Sequence, residues 1–368
     1  MDLSLTHRQQ QVLRATVDHY IATAEPVGSK ALAREYALSI SPATIRNVMG
    51  ALEQAGLLFQ PHTSAGRIPS DFGYRHYVDE LMLPPEPLIA QFKQSLRRQL
   101  RTDSWVFEVL LRDATQILAT FSGCVGLITL PQAAISTIRH LHLVQVEPHR
   151  VMLILVTDAY ETQSVVMELP HSTWDEVDAE HIEQELKILS NFLNHHFDGR
   201  SMQDLMALNQ HELDCEFQKY ADFLKILFSD LTQRCQALSP KNILVGGLAE
   251  VLRQPEFSEL KQAQTLIHLL EEGQDLLWPL IHEWTSDPET LNSPGSTLQR
   301  NKVNIRIGSE NLLESIQEYT LISSTYQKGK TPIGSVGILG PTRMAYEKII
   351  ALVTVMADYL SKYLAQTA

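Results

Sequence analysis

Ser41-Pro42-Ala43-Thr44-Ile45-Arg46-Asn47 carries the side chains best suited to chemistry with another molecule. An arginine bonds guanine O6 and N7 together, an asparagine pairs adenine N6 and N7, and a threonine hydroxyl serves a base or a phosphate. Thr44, Arg46 and Asn47 offer that set within one helical turn. Ser41 stands where a helix would begin, so free amides and the helix dipole favour a phosphate there, and Pro42 takes the first helical position its ring prefers. Ile45, Val48, Met49 and Leu52 follow at i, i+3, i+4 and i+7 as one apolar stripe. With that stripe turned inward, Ala43, Thr44, Arg46, Asn47 and Gly50 fall on or near the opposite side, and Gly50 permits close approach to another backbone. Further on, His62, Thr63, Ser64 and Arg67 form a polar tip suited to phosphate or minor-groove contact. Singly, each has a plainer use: Ser41-Pro42 caps any helix, Arg46 can pair with Glu53, and Arg67 can simply end a strand. The ordered set is what points to DNA.

The elements that would position these residues can be read on both sides. Thr6 and Gln9 make a capping box, followed by Leu13, Thr16, Val17, Tyr20 and Ile21 at helical spacing. Glu25-Pro26-Val27-Gly28 breaks the chain, Ser29 caps a short helix over Lys30 to Tyr36, and Gly56 stands where the third helix should stop. Leu57 to Gln60 and Arg67-Ile68 then read as two short strands, and Ser70-Asp71 opens another helix carrying Tyr74, Tyr77, Val78 and Leu81. Three helices and a hairpin predict a winged helix-turn-helix, whose third helix enters the major groove. Leu83-Pro84-Pro85-Glu86-Pro87 reads as a stiff linker. Lys93, Arg97, Arg98 and Arg101 after it read as a solvated helix face, with backbone contact to DNA as the alternative.

Composition and charge limit what the rest can be. The chain has 368 residues, 44% of them hydrophobic and 20% charged, which predicts two or three globular domains. Its formal net charge of −13 argues against a polyanionic partner unless contact is confined to one part. Residues 1–102 hold 11 Lys and Arg against 9 Asp and Glu, a net of +2; residues 103–368 hold 19 against 34, a net of −15. The densest acidic stretch is Asp175 to Glu185. Cys124, Cys215 and Cys235 are too few and too scattered for a disulfide framework or zinc cluster, and fit a reducing cytoplasm. The first residues lack a signal pattern, and the longest apolar run, Ile349 to Ala357, ends at Asp358. Secreted, membrane and fibrous readings are thereby set aside.

In the remainder, Val125 to Leu130, Ile138 to Val146, Val151 to Thr157 and Gln163 to Leu169 read as strands, with a hairpin at Glu147-Pro148-His149. Residues 175–236 read as helices bearing two stripes, Ile182/Leu186/Leu189/Phe192/Leu193 and Phe217/Tyr220/Leu224/Leu227/Leu231. Strands return at Val303 to Ile307, Glu318 to Thr325 and Ser335 to Leu339, before a last helix over Arg343 to Leu364; Thr285 to Asn301 reads as a loop. Strands, helices, then strands imply an α+β domain carrying a helical insertion. No Ser or Cys stands in a nucleophile elbow, and His140/His142 and His195-His196 lack carboxylate or Cys partners at ligand spacing, so neither catalytic residue nor metal is expected.

Several motifs together resemble the heat-inducible transcription repressor family, HrcA. They are Pro26-Val27-Gly28-Ser29, Ser41 to Asn47, Met49, Leu52-Glu53, Gly56-Leu57, His62 to Pro69, Gly73-Tyr74-Arg75, Tyr77-Val78-Asp79 and, near the other end, Gly334 to Met344. Residues 172–300 contribute little to the likeness. The resemblance implies a winged-helix DNA-binding domain (1–82), a Pro-rich, basic linker (83–103), and a GAF-like α/β domain in two parts (104–171 and 256–368) around an inserted, largely helical dimerisation domain (172–255). It further implies a non-enzymatic repressor of chaperone genes, without cofactor. Such a repressor acts as a homodimer on double-stranded DNA at an inverted-repeat operator of the CIRCE type and depends on the GroE chaperonin. It would be cytoplasmic, and nucleoid-associated when bound.

A second reading makes the protein a metabolite-sensing winged-helix regulator with a small ligand in the GAF-like domain. Val245-Gly246-Gly247-Leu248 and Leu339-Gly340-Pro341-Thr342 each resemble a strand passing through glycine to a helix. Neither has Rossmann or P-loop spacing, and tight turns are the simpler use.

Overall fold

The computed structural model describes residues 5–36, 38, 40–62, 65–82, 86–100, 107–131, 137–147, 150–157, 162–168, 179–200, 243–258, 260–271, 273–282, 303–329 and 331–366. Thr63, Ser64, Arg101, the stripe from Phe217 to Leu231, Pro148-His149, Cys215, Cys235 and the segment from Thr285 to Asn301 lie outside the described residues. Two compact units result, residues 1–130 with 243–367, and residues 131–242.

The first unit opens with α1 (His7–Thr23), α2 (Ser29–Glu35) and α3 (Pro42–Gln54), followed by the wing strands β1 (Leu58–Phe59) and β2 (Ile68–Pro69). The Thr6/Gln9 capping box forms in both directions. Val12, Leu13, Val17, Leu32, Ile45, Met49, Leu52, Leu57 and Leu58 close over one another as the head's core. Gly56 takes φ +74°, the left-handed turn that ends α3 and starts the wing. Leu58 pairs with Pro69 and Phe59 with Ile68, antiparallel, and Arg67 exchanges two 2.9 Å backbone hydrogen bonds with Val27. Gly66 is obligatory beside that bridge, because a Cβ there would collide with the Val27 carbonyl.

Ser70 caps α4 (Asp71–His76), which runs into a π-helical turn over Tyr77–Leu81. Glu86–Gln99 forms α5, whose Phe92 and Leu96 are buried and whose Lys93, Arg97 and Arg98 face outward. Part of the expected linker is thus a packed helix. The remaining elements of this unit are α6 (Phe107–Ser122), β3 (Val125–Thr129), β7 (Ile243–Gly246), β8 (Val303–Ile307), β9 (Tyr319–Lys328), β10 (Thr331–Pro341) and further helices. The strands make one antiparallel sheet in the order β7-β3-β10-β9-β8. Val125, Leu127, Leu321 and Leu339 pack on one face against residues 260–271 and 274–282, which are helical. On the other face Gly126 lies against Thr115 and Leu118 of α6. Both faces are covered, so the central strands β3 and β10 are buried almost throughout, whereas β8 at the edge alternates.

The head is bonded to this sheet. Arg75 Nε donates to Glu310 Oε1 at 2.8 Å and its Nη2 to the Ile305 carbonyl at 2.6 Å. Asp71 Oδ2 accepts the Ser309 amide at 2.9 Å, and Arg343 Nη1 donates to the Ile21 carbonyl at 2.7 Å.

The second unit holds β4 (Ile138–Glu147), β5 (Arg150–Thr157) and β6 (Thr162–Glu168), a sequential antiparallel sheet. One helix, α7 (Ala179–Phe197), accompanies it among the described residues. Leu141, Leu143, Leu153 and Val165 are buried, as are Ile182, Leu186, Leu189 and Leu193 along α7. β4 is an edge strand, and α7 satisfies its outward backbone: Asn194 takes the Leu141 N–H and gives to its C=O, both at 2.7 Å, and Ser190 Oγ accepts from Leu143 at 2.9 Å. Expectation assigned these strands to the GAF-like domain and began the insertion at 172. The compact unit begins at 131, because the three strands share a core with α7.

Candidate nucleic-acid interface

A helix of 3.6 residues per turn divides its side chains between faces, and α3 does so cleanly. Ile45, Met49 and Leu52 are buried, while Ser41, Ala43, Arg46 and Asn47 are exposed and Thr44 and Gly50 half-buried. The start of α3 is fixed twice over: Pro42 is at its first position, and Ser41 Oγ accepts the Thr44 amide at 3.2 Å. Ser41 Oγ and Thr44 Oγ1 also lie 2.9 Å apart in a hydrogen bond. Neither Arg46 nor Asn47 has a side-chain partner among the described residues. Their donors are free to meet whatever approaches the exposed face of α3.

The wing tip is held by Gln60 Nε2, which donates to the Ala65 carbonyl at 2.8 Å, and by the Ala65 amide, which donates to the His62 carbonyl at 2.8 Å. His62 is exposed. Arg67 departs from the expectation of a free phosphate contact. Its Nε and Nη2 both reach Glu53 Oε2, at 2.9 and 2.7 Å, and its side chain is only 19% exposed. Glu53 is therefore paired with Arg67, not with Arg46, and the pair braces the wing against the end of α3.

Sequence reasoning passed over a second wall. The first turns of α1 and one side of α3 border an open cleft of about 820 Å³, with His7, Arg8 and Gln11 on one wall and Thr44, Asn47 and Ala51 on the other. A signal was present, since α1 opens with His7-Arg8 and carries no acid in its first turn, against the usual preference at a helix start.

The glycine turns that suggested a ligand are occupied by protein. Gly247 takes φ +85° against Ala119, and Gly340 packs on the Cys124 sulfur. Gly247 leads into a helix of only four residues. Burial pushes the Cys124 thiol up to about 11, which makes it a poor nucleophile. Among the described residues, no group of three or more His, Cys, Asp or Glu could hold a metal ion, and no helix is long and apolar enough to cross a membrane.

Comparison with known proteins matches both parts of the chain. Residues 4–76 fit the family model described as winged helix-turn-helix transcription repressor, HrcA DNA-binding. Residues 108–350 fit that of the HrcA protein C terminal domain. Over 368 residues, the whole of both chains, the sequence is 79% identical to the heat-inducible transcription repressor HrcA of Acaryochloris marina (strain MBIC 11017). It is 57% identical, again over the whole of both chains, to the protein of that description from Cyanothece sp. (strain PCC 7425 / ATCC 29141). A crystal structure described only as a hypothetical protein superposes with a TM-score of 0.59 at 23% identity, covering 99% of this chain and 100% of that one; it supports the fold alone.

Proposed function

The chain belongs to the HrcA family of heat-inducible transcription repressors, and from that premise we propose that it works as a homodimer on an inverted-repeat operator of the CIRCE type. Its two heads take the two half-sites, and its activity depends on the GroE chaperonin. The observation that carries the reading is the outward, unpartnered face of α3, with Arg46 and Asn47 exposed beside the Ser41 cap. Arg46 would bond guanine, Asn47 adenine, and Thr44 a base or phosphate, while Ala43 and Gly50 allow close approach. Ser41 would receive a backbone phosphate, and His62, Thr63 and Ser64 would reach from the wing. Arg67 is left out of the contact set, because Glu53 already occupies its guanidinium.

A twofold pair of heads matches a palindrome, and tethering the second head to the first raises its effective concentration at the second half-site. Dependence on GroE is a linkage: whatever stabilises the folded repressor sets the active population. The repressor would act in the cytoplasm, at the nucleoid when bound. The test is a footprint on the promoter of the organism's own chaperonin operon, with and without added GroE. Protection of two symmetric half-sites, strengthened by GroE, is the expected result. Protection of one half-site only removes the dimer, and an identical footprint without GroE removes the chaperonin dependence.

A further inference from the structure

We propose that the cleft between α1 and α3 seats a sugar–phosphate strand of the same duplex, with Arg8 as the principal phosphate contact and His7 and Gln11 beside it. The proposal rests on the placement of α3 in the major groove argued above.

The cleft, about 820 Å³, is bounded by Arg8, His7 and Gln11 from α1 and by Thr44, Asn47 and Val48 from α3. Among the described residues, none lining it is acidic, in a chain that carries 43 Asp and Glu and a net charge of −13. The α1 wall is a helix beginning whose first turn holds no carboxylate, so the positive end of that helix dipole acts on the cleft. Arg8 is exposed and has no side-chain partner among the described residues. A negatively charged occupant is the chemistry these features share.

Continuity with α3 says which anion it is. Thr44 and Asn47 belong both to the cleft and to the edge offered to the bases. A helix with its side chains is about as wide as the major groove, roughly 12 Å. Once it fills the groove, its flank lies against a phosphate strand, and whatever stands beside that flank meets the strand. On this flank stands the start of α1.

The experiment uses the full chain as Arg8→Ala and Gln11→Glu, titrated from about 50 to 200 mM salt on a chaperonin-promoter duplex and on a scrambled duplex of equal length. Arg8→Ala should weaken both duplexes alike and flatten the salt dependence by about one ion per bound head, or about 3.5-fold in affinity per head across that range. The ratio between the two duplexes should stay put, and so should the melting temperature, since Arg8 is exposed. Gln11→Glu, which places a carboxylate in the cleft, should weaken both by a similar factor. Wild-type salt dependence in both variants overturns the inference while leaving the α3 assignment standing; failure of the wild type on both duplexes overturns the assignment and the inference with it. Should inorganic phosphate protect the wild type against heat while Arg8→Ala leaves DNA binding unchanged, the cleft is a small-anion site and the proposal fails.

Discussion

Arg46 on α3 and Arg75 on α4 belong to the same winged-helix head, yet their surroundings differ in kind. Arg46 is exposed and has no side-chain partner among the described residues. Arg75 is 24% exposed and bonds Glu310, Asp79 and the Ile305 carbonyl. A hydrated guanidinium costs little when unpaired and remains available, whereas one drawn out of water must find partners. One face of the head therefore leaves its charge exposed, and the other uses charge to fix the head on the body. Reading DNA needs both, because an unpaired arginine specifies a base only when its helix is held in place.

The comparison can be broken at either arginine. Arg75→Ala takes a donor from the Ile305 carbonyl and leaves Glu310 only the Ile307 amide in a half-buried seam, and should lower stability by about 2 kcal/mol in denaturant melts. Its preference for specific over scrambled DNA should survive. An unchanged melt would mean that the seam does not hold the head. Arg46→Ala should do the reverse, losing about 1–3 kcal/mol on the specific duplex and relaxing preference at one base. Its melt should stay within about 0.5 kcal/mol of wild type. Equal losses on specific and scrambled DNA would turn Arg46 into a phosphate contact.

How much of this could be read beforehand follows the same division. The capping box at Thr6 and Gln9, the Ser41-Pro42 start and the Gly56 stop are local chemistry, so α1 and α3 were legible almost to the residue. The strands of the body were legible from two patterns, the nearly continuous apolar run of β3 and the alternation of β4 and β8. What sequence could not give was partnership across distance. Glu53 lies 14 residues from Arg67, and Glu310 lies 235 from Arg75, and no periodicity connects such pairs. α6 was missed although its Leu110, Leu111, Ala114 and Leu118 are buried, since its pattern leads directly into the run of β3. The boundary of the second unit was displaced because β4 to β6 resemble any antiparallel strands; what ties them to α7 is a shared core and the Asn194 and Ser190 bonds to β4, which no periodicity reveals.

Arg67 sharpens the contrast from within the side proposed to face DNA. Paired with Glu53 and largely covered, it should act as a strut. Arg67→Ala is expected to lower stability by about 1 kcal/mol or less while leaving the salt dependence of DNA binding unchanged. A dependence flattened by about one ion would place Arg67 on a phosphate in the complex.

The smallest effect is expected at Asp18, on the paired side of the head. Tyr77 Oη donates to Asp18 Oδ1 at 2.8 Å, and Arg14 stands 3.8 Å away. Burial nevertheless holds the Asp18 carboxyl above the ordinary carboxylate range, with Glu347 adding to the rise and Tyr77 and Arg14 opposing it. A raised acid favours the folded state while protonated, so its contribution is full below the unfolded value and is lost as pH rises through the folded one. At neutral pH Asp18 is therefore a slight burden. Asp18→Asn keeps an oxygen for the Tyr77 hydroxyl and removes the charge, so the variant should melt slightly higher than wild type at pH 7. That advantage should shrink as pH falls through the Asp18 titration, where the wild-type side chain becomes neutral as well. A variant that melts lower at pH 7, with the gap closing in acid, would show that the Arg14 and Tyr77 contacts outweigh desolvation and that this charge, like Arg75, secures the head.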